Sequence, residues 1–145
     1  MDVLTGPYLF VDHHDYKSVH LTGARLGYEF DSKIALTLEY LAGSQQDIYG
    51  EIGTTHTANG QISYFFVPQG DARFRPYLHL GGGFFEFKDF SKDVLGVAWN
   101  TGGGSEFNFT PMFKGFIEAR YVNLGWLNLE GKNELGVLCG LRARF

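Results

Sequence analysis

Apolar residues alternate with glycines and arginines, and with one leucine, Leu138, along the last stretch of the chain, from Leu135 to Phe145. One set of alternate positions is apolar throughout: Leu135, Val137, Cys139, Leu141, Ala143 and Phe145. A period of two predicts a β-strand with one apolar face and one mostly polar face. A soluble sheet buries its apolar face in a core, whereas a membrane-spanning barrel turns that face to lipid.

The same alternation recurs in six earlier segments, and a short seventh one, 6–11, has an ambiguous facing. We predict strands at about 6–11, 21–30, 34–42, 54–67, 76–85, 95–107, 113–121 and 135–145. Turns near Asp31, Pro68 and Asn108 alternate with polar loops that are predicted to be longer. An even strand number with alternating short turns and long loops is typical of bacterial outer-membrane barrels. The pattern therefore predicts an all-β fold, an eight-stranded antiparallel up-and-down transmembrane β-barrel in which residues 1–145 form a single domain with both termini in the periplasm.

Aromatic residues gather near both ends of the predicted apolar face. Those near the turns are Tyr28, Phe30, Tyr64, Phe66, Phe107 and Phe145, and those toward the loops are Tyr40, Phe84, Trp99 and Tyr121. Two such bands are typical of the aromatic girdles that lie at the two membrane–water interfaces.

The opposite face carries nine charged residues, which we predict to form a charge network in the lumen. They are Arg25, Glu29, Glu39, Glu106, Glu118, Arg120, Glu134, Arg142 and Arg144. A soluble core does not tolerate so many charges, whereas a closed polar lumen can pair them. Since eight strands leave an interior just wide enough for side chains, we expect at most a narrow pore. Pairing of Arg120 or Arg142 with Glu39 or Glu106 is a hypothetical gate.

Composition excludes several classes of protein. A formal net charge of −4 gives no basic footprint for nucleic acid. The chain has no run of about 18 apolar residues, so a transmembrane helix is excluded. The lone cysteine, Cys139, excludes an internal disulfide and a cysteine-based zinc site.

Candidate chemistry is sparse. His13, His14 and Asp15, with His20 downstream, could ligate a metal, but adjacent histidines lack the spacing that aims two rings at one ion, so we favour a solvated loop. The glycine triplets at 81–83 and 102–104 lack the lysine and hydroxyl residue of a phosphate loop. His79 is interpreted as part of the lumen network. We predict no metal and no cofactor.

A hydrolase is the enzymatic alternative, because some outer-membrane barrels are lipid A deacylases of similar size and with a similar C-terminal sequence. That activity would need a histidine and a serine two residues apart on a lipid-facing strand, with a glutamate nearby. The strand where we look for them contains Arg120, Tyr121, Val122 and Asn123, with neither residue type. We therefore predict that the protein is not an enzyme.

Four stretches resemble the membrane-spanning domain of the OmpA-like outer-membrane protein family. They lie at 75–83, 102–107, 118–121 and 140–145. The resemblance implies insertion by the outer-membrane assembly machinery, which reads a terminal aromatic residue such as Phe145. The periplasmic peptidoglycan-binding domain of that family has no counterpart here, so we expect either an excised barrel or a relative that consists of the barrel alone.

The leading hypothesis is a monomeric barrel in the bacterial outer membrane with a structural, anchoring or surface-interaction role. Its expected partners are the lipid bilayer and lipopolysaccharide. A soluble lipocalin-like binder of an apolar ligand is an alternative that needs the opposite facing of every strand. The deacylase-like enzyme is the third.

Overall fold

The computed structural model describes residues 2–10, 19–31, 33–46, 52–68, 72–88, 93–110, 112–124 and 132–143. These residues form eight strands: β1 (Asp2–Phe10), β2 (Val19–Asp31), β3 (Ile34–Gln46), β4 (Ile52–Phe65), β5 (Phe74–Lys88), β6 (Asp93–Asn108), β7 (Phe113–Leu124) and β8 (Lys132–Ala143). Within the described ranges, no helix is long and apolar enough to cross a membrane.

The eight strands close into a barrel. Each strand pairs with its neighbours in the sequence, and β8 pairs with β1. All of these pairings are antiparallel. Closure leaves no sheet edge with unpaired N–H and C=O groups, and this is the condition for a sheet to lie in hydrocarbon. The predicted eight-stranded antiparallel up-and-down barrel is confirmed.

We call the end of the barrel where β1 begins and β8 ends the turn end, and the opposite end the loop end. The connections that follow β2, β4 and β6 in the sequence, 32–33, 66–73 and 109–112, belong to the turn end. The strands extend further at the loop end than the sequence pattern predicts. Gln46 pairs with Ile52 and Lys88 pairs with Asp93, although polar residues there were assigned to loops. Backbone ladder bonds do not depend on side-chain polarity, so the pairing continues beyond the last apolar residues. The connections at the turn end were predicted to be shorter than those at the loop end. The difference is weak, since 66–73 at the turn end is as long as 11–18 at the loop end.

Exposed apolar side chains from β2 to β8 form a band on the outer surface, which we call the apolar belt. It includes Leu26, Leu36, Leu38, Ile62, Leu78, Leu80, Ile117, Val137 and Leu141, all of them exposed. Leu38, at the middle of β3, is 66% exposed, whereas its neighbours Thr37 and Glu39 are buried. The predicted facing of the strands is thus confirmed, and the lipocalin-like alternative, which needs these leucines inside, is wrong.

The interior is filled by side chains of two kinds. Polar and charged groups occupy the middle and the turn end, as described below. An apolar cluster fills much of the loop end, where Glu134 is also buried, and it extends along β7 and β8 to positions beside the charges. Its members are Val19, Leu21, Leu41, Phe85, Ala98, Phe116, Val122 and Leu138. A narrow interior can thus be closed by close packing of apolar side chains as well as by paired charges.

One outward position on β6 is covered by its neighbours. Ser105 occupies an outward position but is buried. It lies opposite Pro76 on β5 and Ile117 on β7. A side chain as short as serine does not extend past these larger neighbours.

Candidate functional site

Four charged side chains meet in the middle of the lumen, and we call them the central charge cluster: Arg25, Glu39, Glu118 and Arg120. Arg25 and Glu39 are cross-strand partners on β2 and β3. Glu118 and Arg120 lie two residues apart on β7, so both face inward. All four are buried.

Each arginine in the central charge cluster bridges both glutamates. Arg120 binds Glu39 through Nη1 at 2.6 Å and Nη2 at 2.9 Å, and it donates from Nε to Glu118 at 3.1 Å. Arg25 donates from Nη2 to Glu39 at 2.7 Å and from Nη1 to Glu118 at 3.2 Å. Two positive and two negative charges thus form a neutral group, and a buried charge is tolerated only when it is paired in this way.

Polar residues from β4 and β5 complete the surroundings of the cluster. The Tyr77 hydroxyl donates to Glu118 at 2.7 Å. Gln61, with its carboxamide oxygen turned toward Arg120, accepts from that guanidinium at 2.9 Å. Asn59 donates to Glu39 at 3.5 Å. The sequence pattern placed all three side chains inside without indicating that they contact these charges.

His79 lies beside the central charge cluster. Its Nδ1 atom is 3.7 Å from Glu118 Oε2, and the side chain is fully buried. Neither ring nitrogen has a hydrogen-bond partner among the described residues. The ring packs over Gly102, where a Cβ would stand 2.8 Å from His79 Cε1. His79 is therefore a neighbour of the cluster, and the inward glycine gives its ring room.

A second group of charges closes the turn end, and we call it the turn-end charge cluster: Glu29, Arg75, Glu106, Lys114 and Arg142. Arg75 donates to Glu29 at 3.2 Å and to Glu106 at 3.0 Å, and its guanidinium stacks over Phe65 with the centroid 4.1 Å away. Lys114 donates to Glu106 at 3.3 Å, and Arg142 also pairs with Glu106.

Sequence reasoning missed two members of the turn-end charge cluster. The alternation along β7 turns Lys114 inward, but neither Lys114 nor Arg75 is among the nine predicted network residues. The signal for Arg75 was available, since it precedes outward Pro76 and must face inward in a strand of period two. Of the other predicted network residues, Glu134 is buried in β8. Arg144 and Phe145 lie outside the described residues.

The outer surface carries one polar group near the loop end of β3, β4 and β5. The Tyr40 hydroxyl lies 2.8 Å from Nδ1 of His56, and the two rings stack. Glu86 is the cross-strand partner of His56. The residues two positions before and after His56 are Thr54 and Ala58, so His56 has no serine at that spacing.

The candidate metal ligands give no site in the described part of the chain. His13, His14 and Asp15 lie outside it, and His20 is an exposed residue of β2. The residues that the structure describes contain no group of three or more His, Cys, Asp or Glu side chains that could hold a metal ion. Cys139 is exposed on the outer surface, at the lipid-facing position that the alternation predicts.

No model of a known protein family and no curated protein matches the chain. Solved structures do match it. Neisserial surface protein A aligns with a TM-score of 0.79 at 13% identity, over 99% of this chain and 94% of that chain. The outer membrane enzyme PagL aligns with a TM-score of 0.67 at 14% identity, over 100% of both chains. The N-terminal β-barrel domain of Pseudomonas aeruginosa OprF aligns with a TM-score of 0.57 at 20% identity, over 97% of this chain and 96% of that chain.

These alignments agree with the apolar belt and the buried charges. They extend over nearly the whole chain, and at such identities they report the shared fold. The predicted class of fold, an eight-stranded transmembrane β-barrel, is confirmed. The chain has the fold of small bacterial outer-membrane β-barrels.

Proposed function

We propose that the protein is a small outer-membrane barrel with a structural, anchoring or surface-interaction role and at most a narrow pore. The inverted distribution of side chains carries this proposal. Leucines such as Leu38 and Leu141 cover the outside, while Arg25 and Glu118 are sealed within. In water this arrangement would be unfavourable, because it exposes the apolar belt to solvent and removes charges from it. In a bilayer the belt contacts hydrocarbon and the charges are kept away from lipid.

The two charge clusters serve, on this proposal, as a plug that supports the barrel from inside. The central charge cluster links β2 and β3 to β7 across the lumen. The turn-end charge cluster fills the lumen on one side of the central charge cluster, and the apolar cluster toward the loop end fills it on the other side. Ion passage would require these pairs to separate, so the pairing of Arg120 with Glu39 and of Arg142 with Glu106 is the proposed gate of any narrow pore.

The partners and orientation extend the same proposal. We propose that residues 1–145 form one domain, that it is a monomer with both termini in the periplasm, and that its loop end meets lipopolysaccharide. Assembly would use the C-terminal strand with Phe145 as the signal that the assembly machinery reads. The position of β8 supports this role, because β8 closes the barrel against β1.

The test is refolding of the full chain from denaturant into detergent micelles or phospholipid vesicles. We expect folding that requires detergent or lipid, a β-sheet circular dichroism spectrum, and a gel mobility that changes on boiling. A Leu38→Ser, Leu80→Ser, Leu141→Ser variant is the matched control and should insert less well. A wild-type chain that folds as a soluble monomer without detergent would overturn the proposal.

A lipid-modifying enzyme is the second candidate, and it rests on His56. This ring lies on the outer surface near the loop end. It is hydrogen-bonded to the Tyr40 hydroxyl, and Glu86 is its cross-strand partner on β5. A general base needs such an orienting partner, but the nucleophile here would have to be Thr54 in place of the serine. Incubation with lipid A decides the matter: acyl chains released by wild type and not by His56→Asn would support this activity, and no release from either would count against it.

A further inference from the structure

The connection between β6 and β7 differs in character from the other two connections at the turn end. Phe109 is 66% exposed and Met112 is 59% exposed, and the first residue of β7, Phe113, is also exposed. The connection 32–33 consists of a serine and a lysine. The connection 66–73 begins with the exposed Phe66, which continues the outward face of β4, but its other residues include an aspartate and the exposed Arg73. Large apolar groups at a turn need an explanation, because a turn in water normally carries polar residues.

The backbone donors of this turn are satisfied within the turn. The N–H groups of Phe109 and Thr110 donate to the Phe113 carbonyl at 3.2 and 3.1 Å. The N–H groups of Met112 and Phe113 donate to the Thr110 hydroxyl at 3.3 and 3.0 Å. Pro111, the remaining residue, has no N–H group. Irregular backbone is excluded from hydrocarbon chiefly by its unsatisfied polar groups, and the donors of this turn avoid that cost.

The Phe109 ring folds back along the outer surface of the barrel. A Cβ at Gly115 would stand 2.7 Å from Phe109 Cε2, so the ring occupies the place of a side chain on β7. It thereby continues the band of exposed aromatic residues formed by Phe74 and Phe107, whose ring centroids lie 5.4 Å apart. The apolar surface of the turn is thus continuous with the apolar belt.

We propose that the β6–β7 turn is inserted into the membrane leaflet at the turn end, where Phe109 and Met112 contact phospholipid acyl chains. This inference rests on the proposed function, because it requires the belt to lie in a bilayer. Continuity with the belt favours lipid over a second copy or a periplasmic protein. The N–H groups of the turn already donate hydrogen bonds within it, so they are not available to pair with a strand of a partner protein.

The experiment measures the surroundings of single nitroxide labels on the full chain, refolded into phosphatidylcholine vesicles. The background is Cys139→Ala, and the labelled variants are Met112→Cys in the turn, Arg73→Cys in the polar turn and Leu38→Cys in the belt. Accessibility to oxygen, which concentrates in lipid, is compared with accessibility to a polar nickel complex. Heat-modified gel mobility confirms that each variant is folded.

We expect the Met112 label to resemble the Leu38 label, with loss of accessibility to the nickel complex relative to the Arg73 label. A Met112 label that is as accessible to nickel as the Arg73 label would overturn the inference. Protection from both reagents would also overturn it, because that result indicates a protein partner. If the Leu38 label is exposed to nickel, the proposed function itself fails. Should Met112→Cys not fold, Phe109→Cys takes its place with the same expected outcomes.

Discussion

Replacing Arg120 by methionine tests whether the central charge cluster is sealed from water. Arg120 donates to both Glu39 and Glu118, and its side chain is 1% exposed. Methionine keeps much of the length and removes the charge, so that two buried glutamates share Arg25 alone. Removing one partner of a buried pair costs about 3–5 kcal/mol, because the remaining charge is uncompensated.

The double variant Arg120→Met, Glu118→Gln separates charge balance from loss of packing. It leaves Arg25 paired with Glu39 and restores neutrality, so we expect it to recover a large part of the stability that the single variant loses. Lys88→Met is the matched surface control. Lys88 pairs with Glu86 at 2.9 Å but is half exposed, and breaking such a pair costs about 0.2–1 kcal/mol.

The measurement is the free energy of unfolding in urea from phospholipid vesicles, followed by tryptophan fluorescence and by gel mobility. A loss for Arg120→Met no larger than that for Lys88→Met would refute the reasoning, since it would show a lumen wet enough to solvate the two glutamates. A double variant as unstable as the sum of its two single variants would refute the argument from charge balance.

Three further predictions concern the outer surface, an inward glycine and the lumen. Leu38→Lys, in the middle of the apolar belt, should lower the free energy of unfolding from vesicles by about 2–4 kcal/mol, the cost of a charge near the bilayer midplane. Gly81→Val should destabilise by about 1–3 kcal/mol or prevent folding, because a Cβ there would stand 2.6 Å from Gln61 Cγ. Planar-bilayer recordings should show small conductance for wild type and larger conductance for Glu39→Ala and Glu106→Ala, and unchanged conductance in both variants would contradict the proposed gate.

The alternation of residues was sufficient to predict the strands and the direction in which most side chains point. A strand turns successive side chains to opposite faces whatever surrounds it, so Leu36 and Leu38 had to share one face and Thr37 and Glu39 the other. It was less informative at strand ends, where Gln46 and Lys88 stay paired although neither is apolar. Hydropathy reports where the hydrocarbon ends, and the backbone ladder runs past that boundary.

The sequence by itself determined the class of the fold and the inversion of its polarity, because both follow from a period of two and from charges confined to one face. Only the tertiary structure decided which charges pair. Arg25 and Glu118 are far apart in the sequence and meet at 3.2 Å because the closed sheet brings β2 and β7 to opposite sides of one narrow lumen. Arg75 meets Glu106 because the two are cross-strand partners in β5 and β6, and Lys114 reaches Glu106 diagonally from β7. The alternation gives the face of each residue but not the register of neighbouring strands.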